Sequence, residues 1–227
     1  MKIIVYTIGY NCEKTLAETI ESVLKQTYED FEYYIEDNGS EDGTREILLD
    51  YAKRDSRIIP RFRELNHTKT GELAPTFPFI SDVAKEHDGF FTNLDADDWW
   101  EPDYLERLVS FAERNDLDIA CTGTCMHVEG TEQKHFRKVK QPLVLSRGRF
   151  GKEFPFYHAF FRPIWGKLIR LDILQKLDID QFPILNYGGD TQFCFQALRF
   201  ASRIGVDSSV LHHYRIHQKS VSHQYDS

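Results

Sequence analysis

Three carboxylates, Asp95, Asp97 and Asp98, fall within four positions just after the apolar pair Phe90-Phe91. Like charges this close raise each other's pKa or need a cation between them, and hard divalent ions such as Mg²⁺ and Mn²⁺ prefer carboxylate oxygens. Asp95-Ala96-Asp97 therefore reads as a metal site with Asp95 and Asp97 as ligands. Aspartates also cap helices and favour their N-terminal dipole, so Asp98 or Asp103 could serve as caps alone.

Two polar segments point toward the same chemistry. Tyr10-Asn11 offers a ring for stacking, and Asp37-Asn38-Gly39-Ser40 a carboxylate for a base or ribose hydroxyl, as a nucleotide pocket requires. The second segment also fits a turn rich in capping residues. There is no glycine loop of the Walker or dinucleotide type, so a diphosphate would be neutralised by a metal on the acids. Asp190, in Tyr187-Gly188-Gly189-Asp190-Thr191, is either a helix N-cap or a general base toward an acceptor hydroxyl. Near the C-terminus, alternation puts His213, Arg215 and His217 on one strand face and His212, Tyr214 and Ile216 on the other. Arg215 could clamp a diphosphate, His217 complete a metal shell and Ser220 donate to a phosphate oxygen, against the alternative of a solvated edge strand.

These residues need elements to hold them. Strands are expected at Ile3 to Thr7, Phe31 to Glu36 and Arg57 to Phe62, with helices between them carrying Leu16, Ile20, Val23 and Leu24, then Ile47, Leu48 and Tyr51. A helix from Phe79 to Ala84 leads to the buried strand at Phe90, and Pro102 opens the next helix. This alternation implies an α/β fold, a Rossmann-like mostly parallel sheet flanked by helices, with Tyr10, Asp37 and Asp97 along the carboxyl edge where ligands bind. Thr131 to Pro163 lacks a clear period and reads as a loop-rich acceptor or lid region, its aromatics Phe154, Phe156, Tyr157, Phe160 and Phe161 available for acceptor contacts or core. A strand from Trp165 to Leu171, a helix from Thr191 to Ala201 and a strand from Val210 to His217 complete the chain. One domain is expected over 1–227.

Composition narrows the partners. A net charge of −8 argues against a general nucleic-acid or anionic-lipid surface. No segment has the apolar length of a transmembrane span, and no export signal is read at Met1-Lys2-Ile3, so a cytoplasmic protein is expected, with room for peripheral contact at the inner face of the membrane. The four cysteines lack zinc-finger spacing and are expected reduced, as small core residues.

Taken in order, Tyr10-Asn11, Leu24-Lys25-Gln26-Thr27-Tyr28, Asp37-Asn38-Gly39-Ser40 with Asp42-Gly43-Thr44, Leu94-Asp95-Ala96-Asp97-Asp98 with Pro102, Trp165-Gly166-Lys167-Leu168, and Tyr214-Arg215-Ile216-His217 with Ser220-Val221-Ser222 resemble the family 2 glycosyltransferases. The resemblance implies a GT-A-type fold, a nucleotide-diphosphate sugar donor, taken to be a UDP-sugar, a divalent metal (Mn²⁺ or Mg²⁺), and transfer with inversion to a glycan or lipid-linked acceptor in bacterial surface polysaccharide assembly. It implies Tyr10 and Asp37 on the nucleotide, Asp95 and Asp97 as the Asp-Xaa-Asp pair with Asp97 nearer the metal, and Asp190 as catalytic base. Arg215, His217 and Ser220 would close over the diphosphate, and the domain would divide into a nucleotide-sugar-binding half at 1–125 and an acceptor-binding, catalytic half at 126–227. The chain departs from the family pattern at Ile8-Gly9 for Pro-Thr, at Asp37-Asn38 for two acids, at Ala74-Pro75-Thr76 for Ala-Arg-Asn, where Lys69 or Arg63 could replace the arginine, and at Gly189-Asp190 for Glu-Asp. The rival readings are a non-catalytic relative that binds a sugar nucleotide or partner, and a sugar-phosphate nucleotidyltransferase, which would need a basic glycine loop after the first strand. The sequence leaves the sugar, the acceptor and the oligomeric state open.

Overall fold

The structure, a computed structural model, describes residues 1–64, 76–177 and 188–217. Strands β1 (Lys2–Gly9), β2 (Phe31–Asp37) and β3 (Ile58–Phe62) alternate with helices α1 (Leu16–Leu24) and α2 (Thr44–Arg54). Helix α3 (Thr76–Glu86) leads to β4 (Gly89–Asn93), the two-residue β5 (Trp99–Trp100) and helix α4 (Tyr104–Asn115). Then come β6 (Ile119–Val128), β7 (Lys134–Arg137), β8 (Leu143–Ser146), helix α5 (Phe150–Phe161), β9 (Lys167–Arg170), the single turn α6 (Leu171–Leu174), helix α7 (Gly189–Phe200) and β10 (Arg203–Ile216).

Among the described residues all ten strands join one sheet in the order β3-β2-β1-β4-β9-β6-β10-β5, with β7 added to β6 and β8 to β10. From β3 to β4 the sheet is parallel, as alternation predicts. Beyond β4 it is mixed: β9 runs antiparallel to both β4 and β6, whereas β10 is parallel to β6. The long strands β6 and β10 each serve two neighbours by dividing their length. Ile119 to Cys121 pairs with β9 and Thr124 to His127 with β7, while Arg203 to Val206 pairs with β8 and His212-His213 with β5.

Apolar side chains fill both faces. Leu16, Ile20 and Val23 of α1, Leu48 of α2 and Leu105, Leu108 and Ala112 of α4 pack on one side. Ile80 and Val83 of α3, Phe161 of α5, Ile173 of α6 and Phe193 and Ala197 of α7 pack on the other. Strand β4 is buried along its length, which explains its unbroken Phe90-Phe91 run. Among the described residues no helix is long and apolar enough to cross a membrane. The four cysteines are free, three of them buried.

The stretch from Thr131 to Pro163 corrects an expectation: it holds β7, β8 and α5 rather than loops. Helix α5 hides its period because aromatics occur all round it and Pro155 interrupts it. Phe161 is buried and Phe156 is 77% exposed, so the aromatic group divides between core and surface.

Candidate active site

The acidic turn, residues 94–98, is held by backbone and threonine contacts from three directions. Leu94 N–H donates to the Tyr6 carbonyl, and Thr7 Oγ1 to the Leu94 carbonyl, extending the β1–β4 pairing past its end. From α1, Thr15 Oγ1 donates to Ala96 O at 2.9 Å and Thr19 Oγ1 to Asp98 O at 2.8 Å. From the far side, β5 pairs antiparallel with β10, placing Trp100 opposite His212 and Trp99 opposite His213. The turn is thereby clamped between the first helix and the last strand, which are distant in sequence.

Asp95 accepts a hydrogen bond from Asn93 Nδ2 at 2.9 Å. Its carboxyl is pushed well above the usual carboxylate range, first by burial and then by the charges of Asp98, Asp190 and Asp97. That ordering places Asp190, at the start of α7, in the same electrostatic cluster as the acidic turn. Asp97 Oδ2 lies 2.9 Å from His217 Nε2, and both side chains remain partly open to solvent. A carboxylate and an imidazole thus converge where the sequence predicts ligands.

Asp98 does not cap a helix. Its buried Oδ1 accepts the Arg215 N–H at 2.8 Å, and Oδ2 lies 3.4 Å from His212 Nε2 without aligned hydrogen-bond geometry. Burial, followed by the Asp97 charge, raises the Asp98 carboxyl well above its ordinary range, and burial lowers the His212 imidazole to about 3, so His212 is neutral near pH 7. Asp98 is the residue sequence reasoning undervalued, because a buried link to a distant strand leaves no local pattern. Replacing it with alanine strands the Arg215 N–H and is expected to cost about 1–3 kcal/mol in urea unfolding, whereas asparagine keeps the acceptor without the charge and should cost less.

The helix-cap reading fails for Asp190 as well: Gly188, at φ 84°, occupies the N-cap and Asp190 lies in the first helical turn. Asp190 keeps an exposed surface, yet protein closes around it on most sides, and this enclosure raises its carboxyl, while Lys167 acts in the opposite direction. Lys167 is 2% exposed and its Nζ donates to the Phe161 carbonyl at 2.9 Å. It is a buried cation beside Asp190 that the Trp165-Gly166-Lys167-Leu168 motif carried without a stated role. Trp165 bridges to Asn93 and stacks on His212 and Tyr214 at 4.8 and 5.3 Å, forming the wall behind the acidic turn.

On the nucleotide side, Asp37 is buried, accepting Ser40 N–H at 2.9 Å and Arg45 Nε at 3.0 Å. Asn11, at φ 51°, ties this turn to the loop after β1: its N–H donates to Ser40 Oγ and its Oδ1 accepts from Glu41 N–H. The Ile8-Gly9 departure has a packing cause. A Cβ at Gly9 would lie 2.5 Å from Cys12 Sγ and 3.0 Å from Ala96 Cβ, so a larger residue would require the Cys12 side chain to turn away and Ala96 to give slightly. Gln26, in the Leu24 to Tyr28 motif, is buried and bridges Glu101 O at 2.8 Å and Leu105 N–H at 2.9 Å, capping α4 from another element.

His213, Arg215 and His217 share a face as predicted but turn to different partners. Arg215 Nε donates to Asp97 O at 3.0 Å, its Nη2 to Glu18 at 2.7 Å, and its guanidinium lies 4.9 Å over the Trp99 ring. His213 turns away toward Glu101 and His127. Arg63, a candidate for the missing arginine, is buried and paired with Glu36. Tyr10 is partly buried on the loop after β1. Lys69, Ala74-Pro75 and Ser220 lie outside the described residues.

A mixed α/β sheet with acidic residues clustered at its carboxyl edge belongs to the α/β folds that bind ligands at their strand ends, and the comparisons narrow the class. The glycosyl transferase family 2 profile matches residues 4–178, and the chain belongs to that family. It is 26% identical over 217 residues to the uncharacterized glycosyltransferase EpsJ of Bacillus subtilis (strain 168), covering 94% of this chain and 60% of the relative. It is 32% identical over 140 residues to the putative teichuronic acid biosynthesis glycosyltransferase TuaG of the same strain, covering 61% of this chain and 53% of TuaG. Among solved structures, S. aureus TarS 1-349 in complex with UDP-GlcNAc superposes with a TM-score of 0.74 at 22% identity, over 96% of this chain and 59% of that one, and shows the GT-A-type fold. The chain thus spans about 60% of the length of the first of these relatives.

Proposed function

We propose that this chain transfers a sugar from a UDP-sugar to an acceptor hydroxyl with inversion, in bacterial polysaccharide or glycan assembly. The observation that carries the reading is the convergence of Asp97 Oδ2 and His217 Nε2 at 2.9 Å on a turn of three carboxylates at the end of β4. A cation-seeking turn that holds the leaving group and a separate carboxylate that serves as base suit an in-line displacement. The complex of TarS with UDP-GlcNAc and the naming of TuaG support the donor and pathway class.

The donor set fits a divalent ion. Asp97 and His217 converge at 2.9 Å, and burial, followed by the charges of Asp98, Asp190 and Asp97, raises the Asp95 carboxyl. Mg²⁺ or Mn²⁺ is ordinarily held by one or two carboxylates plus substrate phosphates. Asp97 would hold it with His217 beside it, while the Asp95 carboxylate, turned to Asn93, is not gathered with these two into one cluster among the described residues; the ion would neutralise charge growing on the departing diphosphate. Asp190 takes the proton from the acceptor hydroxyl as that oxygen attacks the anomeric carbon, and the bond to the diphosphate breaks on the opposite face. One displacement inverts the centre, with no covalent intermediate. Lys167 is a positioning residue that favours the ionised form of Asp190. Tyr10 and Asp37 would line the nucleotide, Arg215 and Ser220 the diphosphate side.

Incubating the protein with UDP-GlcNAc and other nucleotide-sugars plus Mn²⁺ should release nucleoside diphosphate slowly to water and faster with a glycan acceptor. NMR of an α-linked donor's product should show a β linkage. Retention of the anomeric configuration, or no release from any donor, would refute the reading.

A further inference from the structure

We propose that Cys125 Sγ, His127 Nε2 and His213 Nδ1 form a site for a borderline-soft transition-metal ion of the zinc class, with Glu101 orienting His213. Strands β6 and β10 run parallel with His213 opposite Cys125, and Cys125 and His127, two residues apart, share one face of β6. One ligand atom from each of the three residues falls within 4.8 Å of the others. His127 Nε2 and His213 Nδ1 face each other at 2.9 Å, and His213 Nε2 lies 2.8 Å from Glu101 Oε1. A carboxylate accepting from one nitrogen of a histidine fixes its tautomer and leaves the other nitrogen's lone pair for a metal.

The histidine pair needs little adjustment. With Zn–N near 2.0–2.1 Å, two imidazole nitrogens in a tetrahedral shell stand about 3.3 Å apart, so an ion entering between them displaces the shared proton and opens the pair by a few tenths of an ångström. Trp99 restrains both rings, stacked on His213 at 5.0 Å and 4.7 Å from His127. Cys125 is buried, with its thiol raised by burial, and it would lose its proton on binding. Of the charged groups facing the cluster, Lys134 and Arg215 oppose a cation, while Glu101 and Glu18 favour one. Thiolate and imidazole are softer donors than the oxygens of the acidic turn, so the two sites would select different ions. An ion here would staple β6 to β10 and, through Trp99 and Glu101, steady the strand that follows Asp97 and Asp98.

Titrating the reduced, chelator-treated protein with Co²⁺ tests this by absorbance. One equivalent should bind with a thiolate-to-cobalt charge-transfer band and tetrahedral visible bands, and Zn²⁺ should displace it. Cys125→Ser should abolish the charge-transfer band, His127→Ala the tetrahedral bands, and Glu101→Gln should weaken binding about tenfold or more, whereas Asp97→Ala should leave the band in place. No band at stoichiometric cobalt, or a band that survives Cys125→Ser, would reduce the cluster to a hydrogen-bonded stack and overturn the proposal. Loss of the band in Asp97→Ala would assign the ion to the acidic turn and overturn it too. Should Cys125→Ser fail to fold by circular dichroism, the His127→Ala result decides.

Discussion

Asp190→Asn is expected to lower kcat by about 10²–10⁴-fold while leaving donor affinity nearly unchanged. The amide keeps the shape and the position in the first turn of α7 but cannot accept the acceptor's proton. Enclosure raises the Asp190 carboxyl, so in the wild type kcat/KM should climb with pH as that group ionises, and the limb should vanish in the variant. Lys167 moderates the effect by favouring the ionised form, so Lys167→Met should shift the limb to higher pH. Comparing pH–rate profiles of the three proteins checks both statements; a wild-type profile in Asp190→Asn would remove the residue from the mechanism.

Asp97→Ala should lower kcat/KM by about 10²-fold or more, because it removes the partly exposed carboxylate that faces both solvent and His217. A stability effect accompanies it. Burial and neighbouring charge hold the Asp95 and Asp98 carboxyls above their unfolded values, so the folded protein binds protons more tightly there. Their ionisation therefore erodes stability as pH rises from the ordinary carboxylate range through the raised values. A cation in the turn offsets that loss, so Mn²⁺ should raise the melting temperature at neutral pH, and the gain should shrink in Asp97→Ala. Unchanged kcat/KM in the variant would exclude Asp97 from the donor site.

Local patterns made much of this legible. Alternating β and α periods disclosed β1 to β4 and their helices, because each buries one face against a neighbour in the parallel half of the sheet. The Asp95-Ala96-Asp97 cluster stood out since carboxylates beside an apolar strand demand compensation. What the sequence concealed depends on distant contacts. Strand β5 is two residues long and exists through pairing with β10, so no period announces it. The threonines Thr15 and Thr19 clamp the acidic turn by single hydroxyls that any amphipathic helix could carry. Alternation correctly separated His212 from His213 but could not say that Arg215 would turn to Glu18 and Trp99. The cap readings of Asp98 and Asp190 failed because Asp98 instead accepts the Arg215 N–H of a distant strand and Gly188 occupies the N-cap position of α7, while at α4 the Leu105 N–H is met by the distant Gln26.

Calorimetric titration of a panel of nucleotide-diphosphate sugars, each with and without Mn²⁺, into wild type and Asp97→Ala tests the central claim most directly. One donor should bind to the wild type only with Mn²⁺ and lose that binding in the variant. Binding that ignores the metal, or survives Asp97→Ala unchanged, would contradict a metal-assisted donor site at the acidic turn.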